Sequence, residues 1–372
     1  MATAAGLGGF IVGIAVVVGT VASVFTTLVV PRAASSRLLR SIVKNLAAAV
    51  RALSRRVGAY ETKDRMMAVA GPLGMVLLFV VWLGLLVAGF GLMAWWTSGS
   101  TLGHGLAISG SSVFTLGIDT GPHSGTTALE IVAAGTGLLV IALEIAYLPA
   151  LYSAFSAREA EVTLLATRAG VPAWGPEILV RHQWFHIMTE LPDLYGTWER
   201  WSAQVAESHA NYPSLMWFRS PVPSRSWLTG LTAMLDAAAL HDAACPGSAP
   251  RQSRICLQMG INCLRSVAGP LRIAYDPDPL PTSGIRLTRE EFAEGYRRLL
   301  NVDFPVERSE EETWRHFAGW RVNYEEIVDK LTALLMPPPA PWFLDRPSLG
   351  STQFPRVLDR TPDDPEAGNN PE

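Results

Sequence analysis

The chain has 372 residues, a formal net charge of -3 and 49% hydrophobic residues. That length exceeds one small domain, and a charge so close to neutral gives no reason to expect a nucleic-acid partner. Three cysteines, Cys245, Cys256 and Cys263, form an odd set at irregular spacing. They do not suggest a disulfide framework and fit reduced thiols facing a cytosol better. The mean hydropathy of +0.23 is high for a soluble protein, and nearly all of the excess lies before residue 155.

In chain order, the first long element is Phe10–Val30, which holds no charged residue and is long enough to cross ~30 Å of hydrocarbon. It lacks a basic leader, and its apolar core exceeds the ~7–15 residues of a signal peptide, so it is expected to be retained. The run that follows, residues 32–65, is densely basic, with Arg32, Arg37, Arg40, Lys44, Arg51, Arg55, Arg56, Lys63 and Arg65. Leu38, Leu39, Ile42, Val43, Leu46, Val50 and Leu53 recur there at helical spacing. Such a helix either lies along anionic lipid or packs on the carboxy-terminal domain. Ala70–Trp96 is a second uncharged span closed by Trp95 and Trp96, which favour the headgroup level. Ile131–Tyr152 is a third, interrupted only by Glu144.

The loop from Thr97 to Leu129 contains neither lysine nor arginine, whereas Arg158, Arg168 and Arg181 follow the third span. By the positive-inside rule the amino terminus and this loop face outside, and residues 31–69 and everything after 155 face the cytoplasm of a multi-pass cell-membrane protein.

Within this loop, which carries no charge from Thr97 to Ile118, stands Ser111-Ser-Val-Phe-Thr-Leu-Gly-Ile-Asp-Thr-Gly121. A short Thr-Leu-Gly turn between two spans is the layout of a pore, where backbone carbonyls replace water around a cation. Irregular backbone at membrane depth is tolerated only where protein buries it or where it lines an aqueous cavity. Residues 70–155 resemble the outer helix, re-entrant loop and inner helix of the tetrameric potassium-channel superfamily. The resemblance implies that Leu102–Phe114 is a pore helix. Thr115, Leu116, Gly117, Ile118 and Asp119 then occupy the place of the Thr-Val-Gly-Tyr-Gly filter. Thr115 matches the family threonine and Gly117 the first glycine, while Leu116 is a conservative change. Ile118 replaces the tyrosine and Asp119 the second glycine.

A filter glycine permits positive φ; aspartate adopts it at a cost and adds a carboxylate at the outer mouth, where a ring of them concentrates cations. The proposed pore helix also carries Gly103, Gly105 and Gly110, each costing ~1 kcal/mol of helix propensity. One chain supplies one loop, so a pore requires a homotetramer.

In the third span, Gly135 and Gly137 read as a hinge of the inner helix, or as sites of close helix packing. Glu144 is an ionisable group within a span and therefore a functional candidate. It either faces the inner cavity or pairs near the interface with a residue such as Arg158.

From Ser156 the chain turns polar and helical. Helices are expected over Ala157–Arg168, Pro176–Met188, Tyr195–His209, Ser226–Leu240, Gln252–Val267, Arg289–Asn301 and Glu310–Leu335, with Pro270–Gly284 a loop. His182, His186 and Glu190, at i, i+4 and i+8, share a helix face. That spacing suits a divalent metal, yet the glutamate that follows the first histidine in zinc proteases is missing. The face is expected to be simply polar, with no metal. His241 and the three cysteines match no zinc module and read as buried thiols. The aromatics Trp198, Trp201 and Tyr212–Phe218 suggest a domain core or an intersubunit face.

The resulting expectation is an all-α membrane protein with three transmembrane helices, a re-entrant pore loop and a helical cytoplasmic domain. Its segments are 1–69, 70–155, 156–335 and a disordered Pro-rich tail, 336–372. The function it implies is a homotetrameric cation channel, potassium being the permeant ion that the resemblance implies. No catalytic residue and no cofactor beyond that monovalent cation are expected. The rival is a membrane-anchored scaffold or sensor whose helical domain binds a partner without conduction.

Overall fold

The computed structural model describes residues 2–30, 60–121 and 124–343, with isolated positions 41, 45, 46, 48–50 and 52. All regular structure among the described residues is helical: α1 Ala2–Leu28, α2 Tyr60–Ala68, α3 Ala70–Ser98, α4 Leu102–Val113, α5 Ser124–Ala169, α6 Gly175–Trp184, α7 Leu191–Asn211, α8 Trp227–Ala244, α9 Arg251–Leu271, α10 Arg289–Leu300 and α11 Glu310–Leu335. Among the described residues three stretches are long and apolar enough to cross a membrane: Gly6–Leu28, Tyr60–Ser98 and Gly125–Ala169. The third outruns the expected Ile131–Tyr152 because its helix runs on unbroken into the polar residues after 155, through Pro149. The helix expected across 38–53 and most of the basic run 32–65 lie outside the described residues.

The chain divides into two units. The first joins Met1–Phe155 to Ala210–Phe218, and the second joins Ser156–His209 to Arg219–Glu372.

In the first unit α1 packs along α3, and α3 along α4. Lipid offers no hydrophobic drive between spans, so close approach and interhelical hydrogen bonds hold them. A Cβ on Gly13 would lie 2.5 Å from the Gly89 carbonyl, which shows how near the two backbones run. Trp82 Nε1 donates to Ser23 Oγ at 3.1 Å across the same interface. Val24, Leu78, Trp82, Leu86, Phe90, Val113 and Val140 form the core. A short 3-10 turn, Pro213–Trp217, returns to this unit. Leu215 and Phe218 pack there with Met75, Tyr147 and Leu151. The aromatic run of the sequence is thereby divided, with Tyr212–Phe218 in this unit and Trp198 and Trp201 in the core of the other.

The second unit is built around α8, every residue of which is buried. A helix apolar on all sides requires partners on all sides, and α6, α9 and α11 supply them. Asp236 is among the carboxylates caught in that core. It accepts from Arg321 Nη1 at 2.8 Å and from the Tyr324 hydroxyl at 2.6 Å, both on α11. Arg321 also donates to Glu325 at 2.9 Å and to the Trp342 carbonyl at 2.6 Å. Glu325 in turn takes the amide of Arg286 at 2.6 Å. A second buried acid, Glu177, accepts from Arg181 and Arg298, each at 2.9 Å.

The disordered tail expected from residue 336 needs correction in its first part. Ala340, Trp342 and Phe343 are buried, and Trp342 Nε1 donates to the Glu291 carbonyl at 3.1 Å. Proline-rich composition suggested a solvated chain, but Trp342 carries enough apolar surface to anchor the strap against Phe292 and Phe317. Residues 344–372 lie outside the described residues.

Two buried histidines should each cost the second unit stability in acid. Burial, helped by Arg158, pushes His209 down to about 3. Burial likewise pushes His241 down to about 4. Their folded values lie below the ~6.5 of an unfolded chain, so their contribution is intact above that pH and is lost as pH falls toward 4 and 3. At pH 5 the loss is about 2 kcal/mol per histidine. Thermal melts between pH 7 and 5 should show a steep fall in midpoint, and His209→Gln should flatten the slope.

Candidate functional site

The loop singled out by the sequence follows α4. That helix starts at Thr101, whose side chain accepts the His104 amide at 3.3 Å. Of its three glycines, Gly105 has a packing cause. A Cβ on Gly105 would meet the Gly91 carbonyl at 2.6 Å and the Trp95 amide at 2.7 Å. Gly105 thus trades helix propensity for contact with α3, and Ser109 Oγ adds a hydrogen bond to the Val87 carbonyl at 2.9 Å.

The helix ends in a tight reversal. The Thr115 amide donates to the Ser112 carbonyl at 2.9 Å and the Leu116 amide to the Ser111 carbonyl at 2.7 Å. That pair of bonds is a Schellman closure, which places Thr115 in the left-handed position usually held by glycine. Its φ is 54°, and a β-branched residue there is a true outlier. Such strain accumulates at functional sites. Gly117 is the other left-handed residue of the loop, with φ 67°. Asp119 is not among them, so the backbone cost expected at the aspartate falls on Thr115.

Beyond the reversal, Ser111 Oγ accepts the amides of both Ile118 (3.0 Å) and Asp119 (3.1 Å). Peptide planarity turns these bonds into a statement about carbonyls. Each N–H and the preceding C=O point in opposite directions in one trans plane. The carbonyls of Thr115, Gly117 and Ile118 therefore point away from the end of α4. Among the described residues no hydrogen bond ends on the carbonyl oxygens of Thr115, Leu116, Gly117 or Ile118. The side chains here are open, with Leu116 59% and Ile118 80% exposed.

Charge at the loop is acidic but partnered. Asp119 Oδ1 lies 3.9 Å from His104 Nε2. Glu130 Oε1 accepts the Gly121 amide at 2.5 Å and pins the far end of the loop to α5. The contacts of Glu130, His104 and Ser111 carry no local motif.

The remaining candidates lie along α5. A Cβ on Gly137 would meet the Val113 carbonyl at 2.2 Å, so this glycine lets α5 cross the end of α4. Gly135 has nothing within 4 Å, and the helix is continuous through both. Glu144 is 7% exposed, and its Oε2 has no hydrogen-bond partner among the described residues. Arg158 is engaged by Glu159 at 2.8 Å, not by Glu144.

The histidine row does not form. α6 stops at Trp184, His186 adopts φ 58°, and Glu190 falls in a 3-10 turn. His182 instead lies 3.0 Å from Arg168 Nη1, and burial pushes its pKa down. Among the described residues no three His, Cys, Asp or Glu side chains are grouped to hold a metal ion. All three cysteines are free and buried. Desolvation raises Cys245 and Cys263 each to about 12, far from reactive thiolates.

No family model, no curated protein and no solved structure matches this chain.

Proposed function

We propose that the chain is one subunit of a cation-conducting membrane protein, with Thr115–Asp119 re-entering the bilayer as its ion path. The observation that carries this reading is the main chain of the loop. Its amides are tied to α4, its carbonyls turn the other way without partners, and two membrane-length helices flank it. Unpaired carbonyls are costly at membrane depth, and a cation shared by several copies satisfies them.

Four copies around an axis, as in the tetrameric potassium-channel superfamily that residues 70–155 resemble, complete the ring. Ile118 and Leu116 then leave solvent for neighbouring copies. Asp119 stands at the outer mouth and attracts cations, and Glu144 on the inner helix adds negative charge below the filter. The second unit lies in the cytoplasm, and the basic run 32–65 meets anionic lipid of the inner leaflet. The activity needs no catalytic residue and no cofactor other than the permeant monovalent cation, for which potassium is the first choice.

Planar-bilayer recording of the full-length protein under a potassium chloride gradient tests this. The reversal potential is expected close to the potassium value. Absence of conductance in every lipid mixture, or a reversal near the chloride value, overturns the proposal and favours a tethered scaffold.

A further inference from the structure

We propose that Ser111 is the positioning residue of the conduction loop, its hydroxyl oxygen fixing the direction of the Gly117 and Ile118 carbonyls. The inference rests on the functional reading above and adds what determines the loop's ion selectivity.

Two consecutive amides, those of Ile118 and Asp119, converge on Ser111 Oγ at 3.0 and 3.1 Å. A hydroxyl has two lone-pair sites, and both are taken. The side chain is 3% exposed, so water does not compete for them. Through the rigid peptide planes, one oxygen sets two carbonyls. Ile118 and Asp119 are also the two positions at which the sequence departs from the glycine-and-tyrosine pattern of the family it resembles. A clamp on their amides holds the curve of the backbone without calling on a second glycine. The neighbouring Ser112 turns back to its own helix, its hydroxyl donating to the Ile108 carbonyl at 2.9 Å, and among the described residues the amides of Ile118 and Asp119 go to Ser111 alone.

Three variants of the full-length protein, Ser111→Ala, Ser111→Thr and Ser112→Ala, are compared with wild type in liposomes. Hydrogen exchange and the potassium-to-sodium permeability ratio are the two readouts. In Ser111→Ala the amides of Ile118 and Asp119 should exchange at least about tenfold faster. The amide of Leu116, bonded to the Ser111 main chain, should stay protected. The permeability ratio should fall severalfold while conduction persists. Ser111→Thr, which keeps the hydroxyl, should restore both readouts, and Ser112→Ala should leave them unchanged.

Unaltered exchange at Ile118 and Asp119 in Ser111→Ala overturns the clamp. Accelerated exchange with an unaltered ion ratio overturns its role in selectivity. A wild type that passes no ions defeats the proposed function and the selectivity role together, whereas the exchange data still decide whether Ser111 holds the loop.

Discussion

Gly117→Val should abolish cation flux while leaving the protein folded. Gly117 has φ 67°, and a Cβ added there meets nothing within 4 Å. The substitution therefore acts through backbone conformation alone. A left-handed L-residue costs about 1–2 kcal/mol, and a β-branched one is the worst tolerated. The adjoining Thr115 already carries such strain at φ 54°, so the loop has little reserve. Relaxation at 117 rotates the peptide planes on either side and turns carbonyls from the path. In the proposed ring of four copies, even about 1 kcal/mol per copy multiplies to roughly a thousandfold loss of the conducting arrangement. Ion flux from liposomes measures this directly, and an unchanged melting curve shows that the helices survive. A valine variant that conducts like wild type would remove Gly117 from the ion path.

The second large effect concerns stability. Arg321→Met should destabilise the second unit by about 3–5 kcal/mol, because it strands Asp236 and Glu325 as buried, uncompensated acids. Both lie under 10% exposed, and Arg321 is their shared cation, at 2.8 and 2.9 Å. The same change releases the Trp342 carbonyl and so the strap over α10 and α11. Against a typical stability of about 5–15 kcal/mol, this lowers the melting midpoint by about 10 °C. Replacing all three charges together, Asp236→Leu, Arg321→Met and Glu325→Gln, should recover much of the loss, since no lone charge then remains. Tryptophan fluorescence melts decide the matter, and a single variant as stable as wild type would contradict the account.

These two sites differ in how far the sequence revealed them. Gly117 was legible because an uncharged Thr-Leu-Gly turn between apolar runs is a local pattern. The spans were legible for the same reason, and the helix expected over Leu102–Phe114 is observed as Leu102–Val113. The helices expected over Arg289–Asn301 and Glu310–Leu335 are observed as Arg289–Leu300 and Glu310–Leu335, each opened by a capping box, at Thr288 and Ser309. Arg321 and Asp236 are 85 positions apart, and no periodicity connects them. The helix expected over Pro176–Met188 failed at Trp184, because the chain turns at a left-handed His186 that no glycine announces. The return of Ala210–Phe218 to the first unit is not legible in the sequence, because an aromatic run advertises burial but not the surface it will meet. Ser111 was hidden by its own ordinariness. A serine in an apolar helix is as often bonded to its own turn, as Ser112 is, and only the folded loop tells the two apart.

The most direct test of the central claim places a cysteine at Ile118. The native cysteines are all buried, so Ile118→Cys supplies the reactive thiol. A membrane-impermeant cationic thiol reagent added to the outer face should modify that residue and block conductance within seconds, while the same reagent inside should not. Modification that leaves the current intact, or reaction from the inner face alone, would contradict an ion path through this loop.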